Sequence, residues 1–431
     1  MAKAKVKRNK KRNLKGWIIA LSIIAVIVIT IMTLIAIGNY SPHTNYYGNG
    51  TVWSQADNFA DYYQKMLTLP IAFDGLRPLR IMQITDPQLK FGSWTHDTKT
   101  MDLLDKAIDQ LNPDIAVVTG DLTYSIFAKS AVKYFADFME KKQVYWAFTY
   151  GNHDSEMTFS KYRHSQLLKS YKYCLFDGGP SNILGESNYF VNIKNSSGDL
   201  VYSLCMMDSN MYQEGQTDLF NREYGEINQG QTDWYKWNIQ GLQAINSNVQ
   251  SSLFMHIPFK THLEVLNDPL RAGAIDELDR DWRGETLPGI AFQGGSCGQA
   301  MSDMIVTLGS TKGVFVGHDH VNTLRGLTSD NIFMAYGRSC GYHTYPFFQS
   351  EGDSTLLESI VAKFWGFKGA SMYLDEWKDA DGNQLGKGIS MIEINVNTAD
   401  ANYGQIYMYD VNHQSLTDKN IVKQNEYTAN N

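Results

Sequence analysis

The chain has 431 residues, of which 43% are hydrophobic and 19% are charged. It therefore has enough apolar material for a large core and is too sparsely charged to be mostly disordered. Its net charge of −7 argues against a nucleic-acid-binding face spread over the whole protein. At about 150 residues per domain, the length predicts two or three domains, or one large α/β domain.

The charge is unevenly distributed along the chain. Residues 1–16 contain eight Lys and Arg residues and no acidic residue. Removing these eight from the 38 basic residues leaves 30 against 45 acidic residues, a net charge of −15 for the remainder. Residues 17–37 (WIIALSIIAVIVITIMTLIAI) separate the two parts and contain no charge. As a helix they span about 31 Å, enough to cross a hydrocarbon core of roughly 30 Å.

This pattern predicts a single-pass membrane protein that contacts the lipid bilayer through residues 17–37. The basic tip, residues 1–16, is expected in the cytoplasm and the acidic body outside the cell. The alternative is secretion after cleavage of a signal peptide, whose apolar region normally has about 7–15 residues before a small-residue cleavage site. The longer run and the poor cleavage site in IAIGNY favour an uncleaved anchor. Residues 38–75 are then predicted to be a spacer, and residues 76–431 a single folded domain.

Short apolar runs end abruptly in polar residues from residue 79 onwards. Helical spacing of apolar residues between the first runs, at 104–111 and 132–139, predicts strands alternating with helices. Continuously apolar strands are typical of buried sheets covered by helices, in which functional residues gather at the carboxyl ends of the strands. The polar residues that end the runs are Asp86, Asp121, Asn152 to Asp154, His256, and His318 to His320.

These strand ends supply oxygen and imidazole donors without a cysteine. Such a mixture suits Mn, Fe or Zn, and the number of donors exceeds what one tetrahedral ion uses. Two ions that share a carboxylate are a common arrangement for hydrolysing phosphate esters. Each motif alone has an ordinary structural explanation, since a strand-end Asp is often a cap or turn residue. The candidate ligands are Asp86, Asp121, Asn152, His256, His318 and His320.

In this order the motifs resemble those of the calcineurin-like metallophosphoesterases over roughly residues 79–345. The family pattern is an Asp motif, then GD, then GNH followed by Asp or Glu, a lone His, and GH-x-H. FMHIPF, GHDHVN and YGRSCGY resemble the branch related to purple acid phosphatases. The resemblance implies a four-layer α/β/β/α sandwich of two mixed sheets. It also implies metal-dependent hydrolysis of phosphate mono- or diesters by a metal-activated hydroxide at a dinuclear centre.

The resemblance also implies a role for each matching residue. Asp121 would bridge two ions, Asp86 and His320 would bind the first, and Asn152, His256 and His318 the second. His153 would contact the substrate phosphate and protonate the leaving alkoxide, and Asp154 would orient His153. These eight positions are the predicted metal and catalytic residues, together with Tyr124.

One position departs from the family pattern, because Gln88 stands where most members have a metal-binding His. Tyr124 offers a compensation, since true purple acid phosphatases have GD-x-x-Tyr with the phenolate on a ferric ion. Tyr124 as a ligand would favour Fe(III) paired with a divalent ion. The alternatives are that Tyr124 packs against a helix, and that Gln88 binds through water or its amide oxygen.

Several weaker candidates and one alternative function remain open. His262, Glu264, Asn322 and Arg338 are candidates for the substrate pocket, with Arg338 as a phosphate clamp. A catalytically weak surface pseudoenzyme that binds a phosphorylated ligand or partner is the alternative to an enzyme, and Gln88 is its main support. The four cysteines, Cys174, Cys205, Cys297 and Cys340, contain no CxxC pair and either form disulfides or stay free.

Overall fold

The computed structural model describes most of the chain, namely residues 2–38, 47–90, 95–156, 158–211, 224–262, 265, 297–320, 324–344, 387–417, 419 and 423–429. The described helices are α1 (Ala2–Gly38), α2 (Phe59–Tyr63), α3 (Thr95–Leu111), α4 (Ala128–Lys142), α5 (Lys161–Leu168), α6 (Gln229–Ile245), α7 (Cys297–Leu308) and α8 (His413–Thr417). The described strands are β1 (Leu67–Thr68), β2 (Leu79–Ile84), β3 (Ile115–Thr119), β4 (Trp146–Thr149), β5 (Tyr189–Lys194), β6 (Leu200–Met206), β7 (Ser251–Phe254), β8 (Thr311–Val316), β9 (Arg325–Leu327), β10 (Phe333–Tyr336), β11 (Gly388–Ile394), β12 (Ile406–Asn412) and β13 (Gln424–Ala429).

The strands form two mixed sheets, which confirms the predicted mixed α/β class with two sheets. The first has the order β13-β12-β11-β2-β3-β4 and the second β1-β5-β6-β7-β8-β10-β9. β2, β3 and β4 run parallel in the first sheet, and β6, β7, β8 and β10 run parallel in the second. Each parallel set brings the carboxyl ends of its strands to one edge.

The core forms two hydrophobic clusters, separated by the second sheet. The larger cluster joins the two sheets to α3 and α4, for example through Leu104, Phe135 and Leu204. The smaller one packs α6 and α7 against the second sheet and includes Cys205 and Trp234. Leu204 and Cys205 are neighbours on β6 and enter different clusters because successive side chains of a strand point to opposite faces. The second sheet is therefore covered on both faces.

The predicted spacer is wrong over residues 47–75, which belong to the folded domain. β1 forms the parallel edge strand beside β5, and the side chains of Trp53, Leu69 and Phe73 are buried. The backbone of Gly48 also donates a hydrogen bond to Ile183 O at 3.0 Å. Local sequence patterns did not reveal this packing, because Gly48 and Trp53 contact Ile183 and Asn182, more than a hundred positions away.

Residues 15–33 of the N-terminal helix α1 form an apolar, exposed segment. Residues 15–33 have a mean hydropathy of 2.5, and none of this segment is buried. Thr30 and Thr33 donate their hydroxyls to the carbonyls of Val26 and Ile29 at 2.8 Å, which satisfies both polar groups within the helix. By length and composition the helix is able to cross a membrane, and an N-terminal signal sequence has the same properties.

Three cysteines whose side chains the structure describes are thiols. Cys174, Cys205 and Cys340 are buried and free. Burial raises the pKa of all three above the ordinary thiol value, so they remain protonated. At these three positions packing and hydrogen bonds stabilise the fold, and the cysteines do not contribute a disulfide.

Candidate metal centre

The candidate centre lies where the carboxyl edges of the two sheets meet. Asp86, Asp121 and Asn152 follow β2, β3 and β4 of the first sheet, whereas His256, His318 and His320 follow β7 and β8 of the second. All six side chains are buried. The structure thus brings together residues that lie up to 234 positions apart because two separate parallel arrays end at one place.

Four residues of this edge have left-handed backbone conformations. Their φ angles are 53° at Asp86, 43° at Gln88, 53° at Asp121 and 77° at His318. Each such conformation costs about 1–3 kcal/mol in a residue with a side chain and persists only where surrounding contacts impose it. The strain concentrates at the strand ends, where it turns the polar side chains towards one another.

Glycines of two motifs allow the close approach of these loops. A Cβ atom on Gly151 would lie 2.2 Å from Asp121 Oδ1, and one on Gly317 would lie 1.9 Å from Thr85 Oγ1 and 2.9 Å from Asp86 Oδ2. Any side chain at either position would displace a carboxylate of the site. The GNH and GHDH glycines are therefore required by the packing of the ligands.

The His256 ring occupies the middle of one half of the site. Its Nδ1 lies 2.8 Å from the Thr119 carbonyl, which only accepts hydrogen bonds, so Nδ1 carries a proton. Its Nε2 then faces Asn152 Oδ1 at 3.2 Å, His318 Nδ1 at 3.3 Å and Asp121 Oδ2 at 3.4 Å. Two acceptor oxygens and a second ring nitrogen therefore converge on one ring nitrogen.

This arrangement fits a bound cation. Burial disfavours a charged imidazole, but the carboxylates of Asp121 and Asp86 outweigh it and raise the pKa of His256 to about 9. Burial together with His256 lowers the pKa of His318 to about 3, so that ring is neutral, as a metal ligand must be. Donors about 2.0–2.2 Å from a shared ion lie about 3.0–3.5 Å from one another, which the observed spacings match. A divalent ion therefore fits this half of the site.

The other half of the site is built on Asp86. Its Oδ2 accepts hydrogen bonds from Thr85 Oγ1 at 2.7 Å and from His318 N at 3.2 Å. Its Oδ1 lies 3.3 Å from His320 Nε2 and 4.0 Å from His256 Nε2. Burial raises the pKa of this carboxyl, but His320 and His256 outweigh it and hold the pKa below its usual range. Ligand atoms of Asp86, Asp121 and His256 all lie within 4.8 Å of one another, so Asp121 lies close to both halves.

His153 lies beside the centre with its ring directed to two carboxylates. Its Nε2 is 3.9 Å from Asp121 Oδ2, and its Nδ1 is 2.5 Å from Glu156 Oε2. Burial opposes protonation, but Asp121 and Glu156 raise the pKa of His153 to about 9. The backbone N–H of His153 also donates to Asp121 Oδ1 at 2.9 Å. The His153 ring is thus held, partly exposed, next to the Asp121 carboxylate.

The predicted role of Asp154 is wrong, because this side chain binds backbone rather than the His153 ring. Its Oδ2 accepts from Gly151 N at 2.8 Å and Asp121 N at 2.9 Å, and its Oδ1 accepts from Thr123 N at 3.1 Å. Asp154 therefore fastens the loop after β3 to the loop after β4. Glu156, three positions after His153, takes the ring-orienting position, and sequence reasoning missed it because the GNHD motif drew attention to the adjacent Asp.

Two tyrosines flank the centre. The Tyr124 ring lies 4.5 Å from the His153 ring, with Lys90 Nζ 4.2 Å above its face. Burial and the nearby Glu156 raise the pKa of Tyr124. With protein groups as its only neighbours, the side chain therefore favours the protonated phenol over the phenolate. The Tyr224 ring meets His318 edge-on at 4.4 Å, and no motif in the sequence pointed to it.

His262 is a core histidine. Its Nδ1 is 3.1 Å from the Phe259 carbonyl, its ring packs edge-on against Tyr336, and the residue is fully buried. Burial lowers its pKa to about 3, so the ring stays neutral. The neighbouring candidate Glu264 lies outside the described residues.

Arg338 is buried. Its Nε lies 3.2 Å from Oδ2 of the buried Asp410, which favours a structural ion pair over the expected phosphate clamp. Asp410 also pairs with the buried Arg325, and it is this carboxylate that offsets the desolvation of the two guanidinium groups. The remaining candidate, Asn322, lies outside the described residues.

The two sheets and the buried carboxylate and imidazole groups define a protein with a candidate metal centre at the shared edge of its sheets. Comparison with known families gives a match to the calcineurin-like phosphoesterase model over residues 79–322. The chain belongs to this family, which confirms the predicted resemblance and its branch related to purple acid phosphatases.

Several named proteins are similar to this chain. Probable inactive purple acid phosphatase 28 of Arabidopsis thaliana is 24% identical over 356 residues, which cover 74% of this chain and 84% of the relative. Phosphatase DCR2 of Saccharomyces cerevisiae is 28% identical over 268 residues, or 56% of this chain and 42% of the relative. The structure of purple acid phosphatase PPD1 from yellow lupin seeds matches with a TM-score of 0.40 and 10% identity, over 83% of this chain and 54% of that one.

Proposed function

We propose that this protein is a membrane-anchored, outward-facing phosphoesterase that hydrolyses phosphate mono- or diesters with two metal ions. The observation that carries the proposal is the convergence of Asp121 Oδ2, Asn152 Oδ1 and His318 Nδ1 on His256 Nε2, at 3.2–3.4 Å. One half of the centre would use Asn152, His256 and His318, and the other Asp86 and His320, with Asp121 shared. Fe, Mn and Zn suit these donors.

The residues around this centre divide the chemistry between them. When bound, the ions neutralise phosphate oxygens and acidify water so that it attacks near neutral pH. His153 faces the same space and would donate the proton that the leaving oxygen takes as its bond to phosphorus breaks. Glu156 would hold the His153 ring in place through Nδ1, leaving Nε2 directed to the substrate.

The test is hydrolysis by the full-length chain, loaded in turn with Fe, Mn or Zn, across a panel of phosphate mono- and diesters. Metal content is measured on the same samples. About two ions per chain with turnover that falls in a His153→Ala variant supports the proposal. A folded chain that binds no metal and cleaves none of the esters contradicts it.

A pseudoenzyme that binds a phosphorylated ligand or partner is the second candidate. It is favoured by Gln88 in the first half of the site and by relatives named as probable inactive purple acid phosphatases. This candidate predicts that inorganic phosphate binds to the chain while no ester is cleaved by any metal-loaded form. Turnover that depends on His153 would exclude it.

We also propose that Tyr124 is a ligand when the centre holds Fe(III). Its ring lies beside His153. A phenolate on Fe(III) produces visible absorption, so the iron-loaded, oxidised chain should be coloured, and Tyr124→Phe should remove the colour. A colourless chain that hydrolyses esters with iron bound would assign Tyr124 to packing alone.

The membrane anchor rests on α1 and on the short connection that follows it. Residue 38 ends the helix, and Tyr47 already pairs with Leu184 of the folded domain. Nine residue steps span at most about 32 Å, so a membrane-spanning α1 would keep the domain close to the lipid surface. The basic tip then stays in the cytoplasm and the domain outside.

Cell fractionation tests this topology. An anchored chain stays with membranes after carbonate washing, and an impermeant reagent reaches a C-terminal tag but not an N-terminal one. A soluble chain whose N-terminus begins after residue 37 would instead support cleavage of a signal peptide.

A further inference from the structure

Gln88 sits inside the first half of the candidate centre. The residue is 5% exposed, has a φ of 43°, and donates its backbone N–H to Asp121 O at 2.9 Å. Its side-chain Nε2 lies 3.3 Å from His320 Nε2 and 3.4 Å from Asp121 Oδ2. An amide donor is thus directed at two atoms that would otherwise bind an ion.

The two halves are therefore unequal. The half around His256 offers four donors, since Asn152 and His318 join His256 and the shared Asp121. The half around Asp86 offers Asp86, His320 and the shared Asp121, and its fourth position holds a neutral amide. We propose that the two ions of the centre bind with different affinities, and that Gln88 makes the ion beside Asp86 and His320 the weak, exchangeable one. This inference rests on the proposed dinuclear function.

The physical cause is competition at the same atoms. To admit an ion, the Gln88 NH2 group must leave Asp121 and His320, and the amide must turn about its last side-chain bond to present Oε1 instead. The ion then gains a neutral oxygen ligand, whereas imidazole is a stronger ligand for Mn, Fe and Zn. Loss of an outer support alone weakens metal binding about 10–100-fold, so replacing a direct ligand should cost at least this much.

When this half holds a divalent ion such as Mn²⁺, Tyr124 does not supply the missing donor, because its proposed phenolate ligation belongs to Fe(III). Its ring contacts His153 and Lys90, on the side of the site that the general acid occupies. The weak position is therefore set by Gln88, and a substitution at that residue alone should change it.

The experiment uses the full-length chain with Mn²⁺ as the only added metal. Wild type and Gln88→His are saturated with Mn²⁺, desalted and analysed for metal per chain, and both are titrated by calorimetry. We expect wild type to retain one ion and to bind the second at least about tenfold more weakly. Gln88→His should retain two, and electron paramagnetic resonance should detect coupled Mn²⁺ pairs in this variant but not in wild type.

Gln88→Glu and Gln88→Leu are the matched variants. Glu has the same reach and adds a charged oxygen, so Gln88→Glu should also retain two ions, even if the His variant fails to fold. Leu has a similar volume without a donor, so Gln88→Leu should retain one. Wild type that holds two ions as tightly as Gln88→His overturns the inference alone. Absence of any bound ion in wild type, Gln88→His and Gln88→Glu, with folding verified by circular dichroism, contradicts the proposed function itself.

Discussion

Substitution of Asp154 should destabilise the fold in a way that the hydrogen bonds of this residue quantify. Its carboxylate accepts from three buried backbone amides, those of Asp121, Thr123 and Gly151. A buried donor that loses its acceptor costs about 1–3 kcal/mol, so Asp154→Ala should lower the free energy of unfolding by about 3–9 kcal/mol. That loss is comparable with the whole stability of a typical domain, about 5–15 kcal/mol.

The isosteric Asp154→Asn variant separates this explanation from loss of side-chain volume. Its amide oxygen is able to serve Asp121 N and Gly151 N, but its NH2 group meets Thr123 N–H as a second donor. One of the three bonds is therefore lost, and we expect a smaller destabilisation of about 1–3 kcal/mol.

Urea unfolding of the full-length chain, followed by tryptophan fluorescence, measures both changes. Asp137→Asn provides the control, because Asp137 is half exposed on α4 and its ion pair with Lys133 is worth about 1 kcal/mol or less. An Asp154→Ala variant that loses less than about 1 kcal/mol would show that other groups hold the two loops together.

Three further predictions concern histidines and the general acid. His153→Ala should keep its metal and lose about 10²–10⁴-fold in turnover of an alkyl phosphate, with a smaller loss on a nitrophenyl ester, whose leaving group needs less protonation. Glu156→Gln should show the same dependence on leaving group with a smaller loss, and an equal effect on both esters would exclude an orienting role. Burial lowers the pKa of His164 to about 3, so its contribution to stability is complete above pH 6.5 and is lost as the pH falls towards 3. At pH 5 the loss is about 2 kcal/mol, and His164→Phe should remove this part of the acid sensitivity in urea unfolding at pH 7 and pH 5.

The local sequence pattern predicted the strands that position the site. The runs ending at Asp86 and Asp121 are β2 and β3 in the structure, and both are buried throughout or nearly so. Such runs are recognisable because β-branched and apolar residues stop where a buried strand leaves the sheet. The same reasoning assigned residues 47–75 to a spacer, since a two-residue edge strand and isolated buried aromatic residues have no periodic signal.

The sequence predicted which residues lie at the strand ends better than it predicted which groups their side chains contact. Arg338 was expected in the pocket, but Asp410, 72 positions later, holds it in the core. Asp154 was assigned to His153, but three backbone amides compete for its two oxygens. In both cases the sequence identifies a residue with the right chemistry, and only the surrounding fold decides which of several possible partners lies within reach.

The sequence by itself determined the apolar N-terminal helix, the α/β class, and the carboxylate and imidazole groups at the strand ends, because each depends on residues close together in the chain. The charge of the chain also changes sign across the apolar residues 17–37, with a basic tip before them and an acidic body after them. Only the tertiary structure decided that two sheets end at one edge, which places Asp86 and Asp121 beside His256 and His318. It also decided that the Gln88 amide lies beside Asp121 and His320 and that Glu156 contacts the His153 ring, because distances between separate loops depend on how the sheets pack.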